Sequence, residues 1–137
     1  MLDELKIYTD GASRGNPGPA SAAYVITKKD GSVLNEGAEF LGRTTNNRAE
    51  YMAVIKALEM TKNYTNGRVK VFSDSNLLVR QLQGEWRVRS DNIRPLFKKV
   101  KELTKNFGSV SFSHRNREHR MITRADSLCN KSLDSRS

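Results

Sequence analysis

Four carboxylates in this 137-residue chain sit in settings suited to metal-assisted chemistry: Asp10, Glu50, Asp74 and Asp126. Asp10 ends the short apolar run Leu5-Lys6-Ile7-Tyr8 and opens a loop, Gly11 to Gly18, rich in glycine and closed by Pro17-Gly18. Asp74 follows Arg68-Val-Lys-Val-Phe-Ser73, an alternating pattern that predicts a half-buried strand. Two acids therefore stand at strand ends, and if those strands are neighbours the carboxylates are too. Glu50 shares a helical face with Val54, Ala57 and Leu58, and a carboxylate on a buried face needs a partner. Asp126 falls in the first turn of the last helical pattern, expected to begin near Thr123. Each acid also has a plain structural reading. Asp10 fits an Asp-Gly turn, Glu50 a capping box opened by Asn47, Asp74 a helix N-cap, and Asp126 a capping box opened by Thr123.

Taken together the four suggest more. Hard divalent cations such as Mg²⁺ favour oxygen ligands and sparse, open sites. Carboxylates from separate elements can hold two such ions roughly 3.5–4 Å apart. One lowers the pKa of an attacking water, and the other balances charge on a departing oxygen. No side-chain nucleophile is then required, and the chain offers no persuasive Ser/His/Asp or Cys/His set. Four crowded carboxylates repel one another and would repel a polyanion, and bound metal reverses both effects.

The partner is suggested by charge. Twenty-four Lys and Arg against fifteen Asp and Glu leave +9, pointing first to nucleic acid and second to an acidic membrane surface. The excess gathers in the second half, with eight basic residues against three acidic between Arg80 and Lys105. Trp86 lies among them, placed either to stack on a sugar or base or to anchor its loop. The length suits one domain over residues 1–137. The single cysteine, Cys129, precludes an internal disulfide, and no apolar run approaches membrane-spanning length. A cytoplasmic protein is the expectation.

The elements that must position the acids follow in order. Strands are predicted over about Leu5–Asp10, Ala20–Thr27 and Ser32–Leu41, the last two joined at Asp30-Gly31. A helix runs to about Met60, a strand over Arg68–Ser73, and a short helix over Ser75–Gln83. An amphipathic helix over Asp91–Asn106 buries Ile93, Leu96, Phe97, Val100 and Leu103. A fifth strand near Val110 precedes a polar loop and the last helix, whose inner face carries Ala125, Leu128, Cys129 and Leu133.

Four stretches of this sequence resemble the motifs of type 1 ribonuclease H: Tyr8-Thr-Asp-Gly-Ala-Ser-Arg-Gly-Asn-Pro-Gly18, Arg43-Thr-Thr-Asn-Asn-Arg-Ala-Glu-Tyr51, Phe72-Ser-Asp-Ser75 and Ala125-Asp-Ser-Leu-Cys-Asn130. The resemblance covers nearly the whole chain in order, and Gln81 to Leu96 is similar to the short members that lack an inserted basic protrusion. It implies an α/β ribonuclease H-like fold: a five-stranded mixed sheet, strands one to three antiparallel, four and five parallel to the first, flanked by helices. It implies a monomeric endonuclease that cleaves the RNA strand of an RNA/DNA hybrid with Mg²⁺ or Mn²⁺, two ions in the substrate complex, leaving 5′-phosphate and 3′-hydroxyl ends. It assigns the metal to Asp10, Glu50, Asp74 and Asp126. It assigns minor-groove contacts to Asn16, Asn46 and Asn76, and the DNA strand and its phosphate to Arg43, Thr45 and Asn47. Gly11, Ser13 and Trp86 are further expected substrate contacts. The chain departs from the family at the last motif. Ile122 stands where many members carry Asn, and Asn116 stands where many carry a loop histidine, flanked here by His114 and His119. Of these His119, expected in a mobile loop, is the candidate for assisting turnover. The alternatives are a nuclease or strand-transfer enzyme on duplex DNA or duplex RNA, and a non-catalytic hybrid-binding module, which could dispense with the acids.

Overall fold

A computed structural model of the chain describes residues 2–136. Three antiparallel strands come first: β1 (Glu4–Ser13), β2 (Gly18–Lys28) and β3 (Val33–Thr44). They are followed by α1 (Asn46–Thr61), β4 (Arg68–Ser73), α2 (Asn76–Leu82), α3 (Arg94–Thr104), β5 (Ser109–His114) and α4 (Arg120–Asp134). The sheet order is β3-β2-β1-β4-β5, with β4 parallel to β1 and β5 parallel to β4. This is the expected mixed sheet.

Strand alternation divides the core between two faces. Leu5, Ile7, Val69 and Val71 pack with Val54 and Leu58 of α1 and Val100 of α3. Tyr8, Val25 and Phe72 face the other way, onto Met121, Ile122 and Ala125 of α4. The strands therefore form a middle layer, with α1 and α3 on one side and α4 on the other. At Asp30-Gly31 the predicted hairpin forms, with Gly31 at φ 90° and the Asp30 carboxylate accepting from the Ser32 N–H at 2.9 Å.

Of the boundaries that differ from expectation, three bear on the acids or the loops beside them. β1 does not stop at Asp10 but runs on through Ser13, because Gly11, Ala12 and Ser13 keep pairing with β2. α3 begins at Arg94, not Asp91. Pro95, which has no N–H to satisfy, fits its first turn, and residues 91–93 form a separate turn. α4 begins at Arg120, three residues before the expected Thr123. No helix among the described residues is long and apolar enough to cross a membrane.

Candidate active site

The register of β1 against β4 places the first two acids. The last parallel pair is Tyr8 with Phe72, and their rings stack at 5.0 Å. Asp10 and Asp74 each lie two residues beyond that pair, so both carboxylates emerge side by side where the two strands part. β1 has left β4 here and pairs only with β2, Asp10 opposite Ala23.

Glu50 reaches the same spot because of Gly11. A Cβ on Gly11 would lie 2.2 Å from the Ala49 carbonyl carbon and 2.4 Å from the Glu50 nitrogen. Only glycine lets α1 press its backbone onto β1 this closely. The helix is capped by Thr45, whose hydroxyl accepts from the Arg48 N–H at 3.2 Å. The capping-box reading from Asn47 is thereby corrected: Glu50 lies in the second turn, buried, with the nearby Gly11 N–H favouring its charged form. The N-cap reading of Asp74 is corrected likewise, since Ser75 caps α2 through the Leu78 N–H. With α4 starting at Arg120, Asp126 also falls beyond the first turn and opens no helix. The structural explanations for these three acids therefore lapse.

One oxygen from each of Asp10, Glu50 and Asp74 lies within 4.8 Å of the others. Asp10 Oδ2 and Glu50 Oε2 are buried without a hydrogen-bond partner. Such orphaned acceptors are rare in folded proteins and call for an explanation. Burial foremost, then repulsion from Asp74 and Asp126, pushes the Asp10 carboxyl up to about 8. Burial, Asp10 and Asp74 raise Glu50 well above the usual carboxylate range, against the opposing Gly11 N–H and Arg117 charge. Asp126 is exposed on α4 and stands outside the group of three, yet it lies close enough to help raise the Asp10 pKa, and it accepts from Asn130 Nδ2 at 3.3 Å. A clustered set of hard oxygen donors, two of them buried and unpaired, fits a hard divalent cation.

Around the acids lies a polar clasp. The Asn46 N–H donates to Asn16 Oδ1 at 3.0 Å, and Asn46 Oδ1 accepts from the Ser13 N–H at 3.3 Å. Both amide oxygens are engaged internally, which leaves both NH₂ groups to donate outward. On the other side, a cavity of about 590 Å³ is lined by Asn47, Glu50, Leu77, Trp86, Arg87 and Arg89, among others. It joins Trp86, 47% exposed, to Glu50. Arg43 is exposed, Thr45 has its hydroxyl occupied as a cap, and Asn76 accepts from Arg80 Nε at 3.4 Å.

His119 is not in a free loop. It caps α4, its Nδ1 accepting from the Met121 N–H at 3.2 Å, and its ring stacks on Tyr8 at 5.1 Å. Burial, then Arg115 and Arg120, lower its pKa. His114 pairs with Ser73 at the end of β5. Spacing alone gave no sign of two other residues. Arg48 ties α1 to the 91–93 turn by donating to the Asn92 carbonyl at 2.5 Å, and Arg117 brings its Nε to 3.8 Å from Asp74 Oδ2.

The 3-2-1-4-5 sheet, with acids clustered where β1 and β4 diverge, defines a ribonuclease H-like fold. A family model described as reverse transcriptase-like matches residues 8–132. Ribonuclease HI of Halobacterium salinarum is 40% identical over 127 residues, 93% of this chain and 63% of the relative. Ribonuclease H of Campylobacter jejuni is 36% identical over 116 residues, 83% of this chain and 75% of the relative. The crystal structure of LC11-RNase H1 in complex with an RNA/DNA hybrid superposes with a TM-score of 0.91 at 39% identity, covering 96% of this chain and 98% of that one. The chain belongs to the type 1 ribonuclease H family, in its short form: residues 83–93 join α2 to α3 with no helix between them. It spans less than two thirds of the Halobacterium protein's length.

Proposed function

We propose that this chain is an endoribonuclease that hydrolyses the RNA strand of RNA/DNA hybrids, with duplex RNA as a secondary substrate. It acts in the cytoplasm as a monomer, with residues 1–137 forming one domain. The observation that carries this reading is the clustered trio Asp10, Glu50 and Asp74, the first two buried with orphaned oxygens, in a chain of net charge +9. A polyanion binder gains nothing from unpaired buried acids unless they hold cations. The family relationship and the hybrid bound by LC11-RNase H1 support the substrate.

Asp10, Glu50 and Asp74 would hold Mg²⁺ or Mn²⁺, and Asp126, at the open side of the cluster, would complete the ligand set. Two ions held there would supply an attacking water of lowered pKa and a counter-charge for the departing 3′-oxygen, consistent with 5′-phosphate and 3′-hydroxyl ends. Bound ions would favour the ionised forms of Asp10 and Glu50, which burial and mutual repulsion otherwise disfavour. The Asn16 and Asn46 NH₂ groups, set by the Ser13–Asn46–Asn16 clasp, meet the minor groove, where 2′-hydroxyls distinguish RNA. Gly11 and Asn76 flank the acids on the same approach. Arg43, Thr45 and Asn47 receive the DNA strand's phosphate, and Trp86 packs against its sugars in the cavity beside Glu50.

The test is one cleavage assay across hybrid, duplex RNA and duplex DNA, titrated with Mg²⁺ and Mn²⁺. Metal-dependent cutting of the hybrid alone, or of hybrid above duplex RNA, is expected. Hybrid binding with no turnover at any metal concentration would return the protein to a binding module.

A further inference from the structure

Residues 115–119 link β5 to α4 and run past the acids. Most of the cations near this link are already engaged. Arg115 covers the Phe72 ring at 4.3 Å and donates to the His114 carbonyl. Arg124 is paired with Glu36 at 2.7 and 3.1 Å. His119 is fixed as the cap of α4. Arg117 differs from all of these. Its side chain is 83% exposed, and what holds it is the 3.8 Å approach of Nε to Asp74 Oδ2. Its charge also acts on Asp10 and Glu50, opposing the raised pKa of each.

That geometry describes a loosely held counter-ion. A single long contact on a solvated side chain is weak and readily exchanged. A guanidinium stays protonated in proteins, so Arg117 cannot carry a proton as a histidine would. Its chemistry is anion binding, ideally through two parallel N–H donors to a phosphate. A divalent cation on Asp74 would remove the attraction that keeps Arg117 there and free its guanidinium for a phosphate.

We propose that Arg117 is a substrate-positioning residue that changes partners, balancing the acids while metal is absent and binding a backbone phosphate of the hybrid once metal occupies them. This rests on the function proposed above. It gives the β5–α4 link a role in anchoring substrate that does not pass through His119.

Wild type, Arg117→Ala and Arg117→Lys test it with two measurements that need no turnover. The first is thermal stabilisation by Ca²⁺ alone. Arg117→Ala should reach half-effect at several-fold lower Ca²⁺, because the competing cation is gone, and Arg117→Lys should stay near wild type. The second is hybrid affinity in Ca²⁺ against salt. Arg117→Ala should bind about tenfold more weakly, the scale of one lost charge-assisted contact. The slope of log affinity against log salt should also shrink by roughly 0.7–0.9, one phosphate. Arg117→Lys should keep the slope while losing part of the affinity. An unchanged slope in Arg117→Ala overturns the inference, even if the Ca²⁺ midpoint moves, because Arg117 is then a counter-ion only. If wild type binds no hybrid in Ca²⁺, the proposed function itself falls and this inference with it.

Discussion

The two ends of the β1–β4 pair are built from the same device and put to opposite uses. At the end where the strands begin, Gly67 presses its backbone onto the preceding chain: a Cβ there would lie 2.4 Å from the Asp3 carbonyl oxygen. At the end where they part, Gly11 presses against Ala49 just as closely. Around Gly67 every close approach is matched by a bond. The Arg68 N–H donates to Asp3 at 2.9 Å, and Gly108 donates to Asn66 and Gly67 at 2.8 and 2.9 Å. The wholly buried Thr65 hydroxyl donates to the Leu2 carbonyl and accepts from the Gly67 N–H. Around Gly11 the close approach delivers a third carboxylate to a buried cluster and leaves Asp10 Oδ2 and Glu50 Oε2 without partners. A tight glycine contact therefore does not mark a functional end. The unpaired acceptors beside Gly11 are what set the proposed functional end apart.

The sharpest way to break this contrast is Asp10→Asn. Removing one charge from the cluster should lower hybrid cleavage in Mg²⁺ by more than about a hundredfold, the scale of a single electrostatic group in an active site. Hybrid binding in Ca²⁺ should persist, and near-normal cleavage by this variant would end the comparison.

Next come the two glycines. Gly11→Ala and Gly67→Ala should each destabilise the fold by about 1–3 kcal/mol in urea unfolding, the usual cost of forcing atoms into a packed site. Only Gly11→Ala, which displaces Glu50 from Asp10, should also lower activity per folded molecule and weaken Ca²⁺ binding. Equal activity losses in the two variants would erase the distinction between the ends.

A smaller effect is the pH dependence of the metal-free protein. The Asp10 carboxyl titrates near 8 in the fold against an ordinary value of 3.8. Between those values the native state keeps a proton that the unfolded chain has released. Stability therefore falls as pH rises from about 4 towards 8. The melting temperature should drop by several degrees over that window. Saturating Ca²⁺ should flatten the profile, as should Asp10→Asn in part. A flat profile without metal would mean the acids are better solvated than their burial indicates.

The smallest effect on cleavage belongs to the satisfied end. Thr65→Ala removes a hydroxyl that both donates and accepts and should cost about 1–3 kcal/mol. Cleavage per folded molecule and the pH profile should stay unchanged, checked by urea unfolding beside the activity assay.

Strand interiors were legible because alternation is local. The alternation over Arg68–Ser73 predicts a half-buried strand, and Val69 and Val71 are buried on one face, while Phe72 is buried on the other under α4. Ends were less legible, because several residues competed for each. Thr44, Thr45, Asn46 and Asn47 are all polar residues where α1 begins, and all four are good caps. The choice of Thr45 accompanies the tie of Asn46 to Asn16, a contact thirty residues distant in sequence. His119 gave no strong cap signal. It becomes one because its ring finds Tyr8 to stack on, and that in turn moves the start of α4 and the setting of Asp126. Arg117 was one arginine among several in a polar loop, and nothing in its spacing set it apart.

The chain's own order of residues determined which groups are the candidates for the chemistry: four acids, each tied to a strand end or a helix, in a basic protein whose motifs match one family. Whether those acids meet was decided only in three dimensions. Asp10 and Asp74 are brought together by a parallel register between strands more than fifty residues apart. Glu50 joins them because a missing side chain at Gly11 lets a helix sit flush on the sheet. Local pattern fixes what each segment becomes, but long-range pairing and packing fix which acceptors end up buried and unpaired.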